Sequence, residues 1–231
     1  MLQKPVTGAV LVLAALLAHA APAHAQQTVN FSFGHFAPTG EDGRTSGDVL
    51  DANQRFLLFD IDEFGGASIG GEWLVSLGRL FEAGAGVTYT SQTVPSVYRD
   101  FVDSDGTEID QDLQLRLVPI AFTVRVVPFG HSTRIQPYFG GGLAVIDWQY
   151  SETGEFIDFG AGREIVNERH EASGTSTGPV VVGGVRFAGP RLSAGGEFRY
   201  QHAHGDLPNE FAGSAIDLGG WTYNFTIGMR F

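Results

Sequence analysis

Four groupings of side chains in this 231-residue chain have residue types and spacings that could do chemistry. His131-Ser132 sets a base beside a hydroxyl nucleophile, as a hydrolase would need, but it falls in a short predicted turn. His202-x-His204-x-Asp206 places three metal-ligand types on one strand face; that face continues from Phe198 and Tyr200, which fits interfacial or loop histidines better. Asp103-Ser104-Asp105-Gly106 with Glu108, Asp110 and Asp112 offers hard oxygens like half of a calcium loop. Without the full EF-hand spacing it reads as a solvated acidic loop, with divalent bridging to phosphorylated lipid as a minor alternative. Gly140-Gly141-Gly142 is no phosphate loop, because no lysine follows and no helix is predicted there; these glycines are expected to admit bulky neighbours across the interior. No catalytic, cofactor-binding or metal-ligating residue is therefore assigned, and no cofactor is expected.

Composition narrows the remaining classes. Formal net charge is -12, and the only lysine is Lys4. A chain so acidic is repelled by phosphate backbones, which excludes nucleic acid as a partner. There is no cysteine, so disulfides and thiolate chemistry are excluded. Glycine, at 32 residues, is about twice its usual ~7% share, without matching enrichment in proline, as closely packed strands and turns require.

The N-terminus reads as an export signal. Lys4 gives a positive start, residues 8–18 (GAVLVLAALLA) form an apolar core shorter than the ~20 residues of a membrane-spanning helix, and Ala23-His24-Ala25 gives a small-x-small site. Cleavage is expected after Ala25, leaving residues 26–231 as one domain and Lys4 removed.

That domain shows period-two alternation in eight segments, an even number as single-chain bacterial barrels require. The clearest is the last, where Trp221, Tyr223, Phe225, Ile227, Met229 and Phe231 oppose Thr222, Asn224, Thr226, Gly228 and Arg230. In the fourth, Leu113, Leu115 and Leu117 give way to Ile120, Phe122, Val124 and Val126; this slip of phase predicts a bulge at Pro119. In the fifth, Tyr138, Ile146, Trp148 and Tyr150 form the apolar set. Connections near 78–79, 128–137 and 188–191 are short, whereas 38–64, 95–109, 151–177 and 203–215 are long and acidic. The expected fold is thus all-β: an eight-stranded antiparallel transmembrane β-barrel with long extracellular loops and short periplasmic turns, in the cell outer membrane. Within 48–59 a short helix capped by Asp48 is expected.

If the apolar faces meet lipid, the opposite faces enclose Glu72, Glu82, Arg116, Arg125, Arg186, Glu197 and Arg199. Three acids against four bases would then need to pair inside the lumen. Aromatics near strand ends, Trp73, Tyr89, Tyr138, Trp148, Tyr150, Tyr200, Trp221 and Tyr223, suit interfacial girdles.

Phe33-Gly34-His35-Phe36-Ala37-Pro38, Pro137-Tyr138-Phe139-Gly140-Gly141-Gly142, Gly195-Gly196-Glu197-Phe198-Arg199-Tyr200 and the terminal Phe231 together resemble the eight-stranded outer-membrane barrels of the OmpA, OmpX, OmpW and opacity-protein group. The resemblance implies that Phe231 is an assembly signal read by the barrel-assembly machinery through the C-terminal strand, and that outer-membrane lipids and lipopolysaccharide are partners. The expected function is noncatalytic, structural or surface-interacting, with a charge-paired lumen. The alternatives are a narrow channel for small or hydrophobic molecules and, third, a lipid-modifying enzyme. Oligomeric state is not specified.

Overall fold

A computed structural model describes residues 26–158 and 164–231. The expected export signal, with its cleavage after Ala25, lies outside the described residues.

Eight long strands run in chain order: β1 Gln27–Pro38, β2 Gly66–Leu77, β3 Phe81–Val102, β4 Glu108–Val126, β5 Ile135–Asp158, β6 Glu164–Ala188, β7 Leu192–Gln201 and β8 Gly220–Arg230. Each pairs antiparallel with the next, and β8 returns to β1 with Val29 opposite Met229 and Phe33 opposite Phe225, so the sheet closes. Closure leaves no sheet edge in the membrane zone, where an unpaired backbone amide would have no water to bond. Three short connections, at 78–80, 127–134 and 189–191, share the end that holds the described termini.

Alternation sets which face each residue takes, and the outward face carries an apolar belt. Phe31, Phe33, Ile69, Phe81, Val87, Phe122, Val124, Phe139, Leu143, Val181, Phe187, Phe225 and Ile227 are all exposed. So much apolar surface facing water would be an aggregation patch; facing lipid it is the barrel's anchor. Trp73, Tyr89, Trp221 and Tyr223 are exposed with it, and Tyr200 packs on Trp221 at 4.9 Å between ring centroids.

Four strands overshoot this belt. β3 to β6 continue well past it, and most of 95–109 and 151–177, expected as loops, is strand paired in β3–β4 and β5–β6. In the overshoot the faces change character. Along β4 the outward residues run Val126, Val124, Phe122, Ile120 and Val118 and then Arg116, Gln114 and Asp112, while Leu117, Leu115 and Leu113 point inward and are buried.

This inversion corrects the expected bulge. Pairing of β4 with both neighbours keeps one register through Pro119, which sits opposite Ile146, and the irregularity of the β3–β4 pairing lies between Val97 and Val102. The apparent slip of phase is a change of solvent: the same alternation faces lipid below and water above. Tyr138, Trp148 and Tyr150 are corrected for a related reason. All three are buried on the inward side of β5 and take no part in a girdle.

Gly140 and Gly142 also point inward. A Cβ on Gly140 would collide with the carbonyl oxygen of Val124 and one on Gly142 with that of Phe122, so what they admit is the backbone of β4 alongside.

Candidate functional site in the lumen

The lower interior is filled by charge. Glu72 projects from β2, Glu82 from β3, Arg125 from β4, Arg186 from β6 and Glu197 and Arg199 from β7, all on the inward phase. Arg125, fully buried, lies 2.5 Å from Glu72 Oε1 and 3.2 Å from Glu197 Oε2. Arg199 donates to Glu197 Oε1 at 2.9 Å and reaches Glu72 Oε1 at 3.4 Å. Arg186 pairs with Glu82 and donates through Nε to Gln136 Oε1 at 2.7 Å.

Tyr138 ties the groups together. Its hydroxyl donates to Glu197 Oε2 at 3.0 Å, and its ring lies 4.9 Å from the Arg125 guanidinium carbon and 5.7 Å from that of Arg186. Arg125 Nε and Nη1 bond to no described side chain. Charge and the ring face therefore hold this guanidinium more than saturated hydrogen bonding does.

Arg116 is the residue that the sequence misplaced. It stands on the outside of β4 above the apolar belt, 3.4 Å from Asp147 of β5, with side chains 37% and 57% exposed. Its removal changes the balance of the lumen. Three carboxylates, Glu72, Glu82 and Glu197, now meet three guanidiniums, Arg125, Arg186 and Arg199, where the sequence left one base in excess.

Beneath this layer the short turns are tied across the opening. Gln136 Nε2 donates to the carbonyls of His131 and Thr133, and Arg230 donates to Gly189 O and Gln26 Oε1. His131 faces the Phe81 carbonyl at 3.2 Å and Glu82 at 3.6 Å, so its ring nitrogens address those groups and not Ser132.

Above the charge layer the interior is apolar. Leu113, Leu117, Ile146, Trp148 and Tyr150 from the wall meet Val49, Leu50 and Phe64 from the first outer loop and Ile216 and Leu218 from the last. The first loop was expected to face outward; its apolar residues instead turn down into the mouth. The helix within it, α1 (Val49–Asn53), is shorter than expected and buries Val49, Leu50 and Asn53. So short a helix depends on packing and capping.

Asp48 supplies the cap and more. It accepts from Leu50 N at 2.9 Å, from Arg44 Nε at 2.7 Å and from Asp217 N at 2.6 Å, while Asp217 accepts from Thr45 N and Gly219 N. The two aspartates zip the first outer loop to the last. Between roof and charge layer, a void walled by Leu117, Pro119, Arg199 and Gln201 measures about 10 Å³, barely room for one water.

The remaining chemical candidates are not brought together. His204–Asp206 forms a short strand paired with Ala215–Asp217, and among the described residues no group of three acidic, histidine or cysteine side chains is arranged to hold a metal. The signal that sequence reasoning missed was the run Leu113, Leu115, Leu117 interleaved with Gln114 and Arg116, with Asp147 of β5 likewise on the phase opposite its apolar neighbours.

No protein-family model and no curated protein matches the chain. Among solved structures it is similar to the outer membrane protein OprG from Pseudomonas aeruginosa, at 11% identity and a TM-score of 0.52, over 90% of this chain and 96% of that one. It is also similar to Neisserial surface protein A, at 14% identity and a TM-score of 0.49 over 89% and 97%. A third likeness is to the E. coli outer membrane protein W, at 15% identity and a TM-score of 0.37 over 90% and 98%. At such identities the likeness is one of fold, and that fold is the small outer-membrane β-barrel.

Proposed function

We propose that this outer-membrane barrel is noncatalytic, that its lumen is closed, and that it works through its outer mouth as a structural or surface-interacting protein. The observation that supports this reading is the succession of two fillings along one axis, three buried ion-paired carboxylates below and an apolar roof above. An eight-stranded wall encloses just enough width for side chains to fill. An ion crossing here would have to part the guanidinium–carboxylate layer and then enter a hydrocarbon-like roof. A hydrophobic solute would meet the charge layer instead.

The test is single-channel recording from the refolded protein in planar bilayers, with uptake of small hydrophobic compounds measured in cells. The closed reading expects no unitary conductance and no protein-dependent uptake. Steady conductance or uptake by the wild-type barrel would overturn it and favour a narrow channel.

A further inference from the structure

The roof does not seal the mouth evenly. Between α1, the upper ends of β3 to β6 and the last outer loop lies an open cleft of about 360 Å³, within the ~300 to 1,000 Å³ range of small-molecule sites. Five of its eleven described lining residues carry rings: Phe56, Tyr98, Phe156, His170 and Phe211. The His170 ring stands edge-on to Phe156 at 4.8 Å between centroids and lies 6.3 Å from Phe211.

Glu152 is the buried carboxylate among these rings, whereas Glu210 at the rim is exposed. Glu152 projects from the inward side of β5, beyond the level where Asp147 leaves the apolar belt, and is only 5% exposed. Asn53 Nδ2 donates to its Oε1 at 2.6 Å and Tyr150 OH at 3.0 Å. Among the described residues no arginine lies within ion-pair distance of it, in contrast to every carboxylate in the lumen.

The amide donors beside the cleft are committed within the protein. Asn53 Nδ2 also donates to Tyr150 OH, and Gln111 Nε2 donates to Tyr98 OH and to the Glu155 carbonyl. What these residues have left is acceptor capacity: Glu152 Oε2, Asn53 Oδ1 and Gln111 Oε1, with the Glu210 carboxylate also lining the cleft. A ligand that satisfied them would bring donors and positive charge, and the ring faces would favour the same charge. The acidity of the whole chain steers cations the same way.

We infer that the outer cleft binds a small organic cation, an ammonium group carried on an apolar body, with the ammonium on Glu152 and the body against the Phe156, His170 and Phe211 rings. Burial pushes the Glu152 carboxyl above its ordinary value, opposed by the hydrogen bonds from Asn53 and Tyr150. A carboxyl held at such a desolvation cost in an open cleft is a feature of sites. This inference concerns the mouth alone and stands whether or not the lumen conducts.

The test is calorimetric titration of the detergent-solubilised, full-length exported protein with three probes of one size: 2-phenylethylammonium, 2-phenylethanol and phenylacetate. The ammonium should bind most tightly, the alcohol more weakly and the carboxylate not at all. Glu152→Gln keeps an acceptor for Asn53 and Tyr150 and should stay folded by heat-modifiability, yet weaken the ammonium by roughly ten- to a hundredfold. Phe211→Ala should weaken all binding, and Asp112→Asn, on the outward face of β4, should change nothing. No binding of the ammonium, equal binding of the three probes, or an unchanged affinity in folded Glu152→Gln would overturn the inference.

Discussion

Glu197 is the point at which the lumen can be probed most directly. Glu197→Gln removes the charge that meets Arg199 at 2.9 Å and Arg125 at 3.2 Å, while an amide oxygen can still accept from Tyr138. Three guanidiniums would then face two carboxylates, in a space where the Arg125 side chain has no access to solvent. Breaking such a pair costs about 3 to 5 kcal/mol. Neutralising an acid away from any such feature, Glu155→Gln at the outer end of β5, should stay within about 0.5 kcal/mol. Urea unfolding of both variants in lipid vesicles should separate them by roughly 3 kcal/mol, more than a hundredfold in the folding equilibrium. The charge-balanced double variant Glu197→Gln/Arg199→Gln should recover part of the loss, because it leaves two acids against two bases. Equal losses below about 1 kcal/mol for the two single variants would show that the lumen charges are solvated, and the closed-lumen reading would fail.

Other outcomes follow from the same geometry. Arg116→Gln should cost no more than about 1 kcal/mol in that assay, since its pair with Asp147 is exposed; a loss matching Glu197→Gln would return it to the interior. Asp48→Ala removes the α1 cap, worth about 0.5 to 2 kcal/mol, and strands the buried Arg44; trypsin should then cut the first outer loop of folded barrels faster, and an unchanged cutting rate would refute the zipper. Deleting Phe231 should lower the heat-modifiable fraction in the membrane if this exposed terminal residue is an assembly signal, whereas wild-type amounts would show that it is dispensable. N-terminal sequencing of the exported protein should begin at Gln26; an intact Met1 would disprove cleavage after Ala25.

The alternation that makes the strands was legible in the residues, and so were the inward phases of Glu72, Glu82, Arg125, Arg186, Glu197 and Arg199. What misled was the premise that apolar always means outward. That premise holds where lipid surrounds the wall and fails where water does, so Leu113, Leu115 and Leu117 looked like a slipped strand and Arg116 like a lumen residue. Trp148 and Tyr150 were misread as belonging to a membrane girdle on the same ground, and Tyr138 because an aromatic near a strand end suits both a girdle and a guanidinium partner. The zipping of Asp48 to Asp217 was beyond reach, because it joins residues 169 positions apart through contacts that no local pattern encodes. Only the cap itself, an aspartate before an apolar turn, left a local trace.

The inverted faces of β3 to β6 also fix how this barrel sits in membranes of different thickness. A bilayer thicker than the belt would draw Arg116 and Asp147 into hydrocarbon, and a thinner one would leave Ile120 and Leu143 in water. An arginine costs little near the interface but ~2 to 4 kcal/mol at the midplane, so hydrophobic mismatch is met by deforming the lipid or tilting the barrel before the protein sinks or rises. The strand tops beyond Asp147 therefore project a constant distance. From Asp147 to the end of β5 that is on the order of 25 Å along the barrel axis, given the rise and tilt of such strands. The outer cleft, whose Glu152 lies five residues beyond Asp147 on β5, is thereby held on the order of 12 Å above that level, at a height set by the protein's own wall whatever the bilayer beneath it.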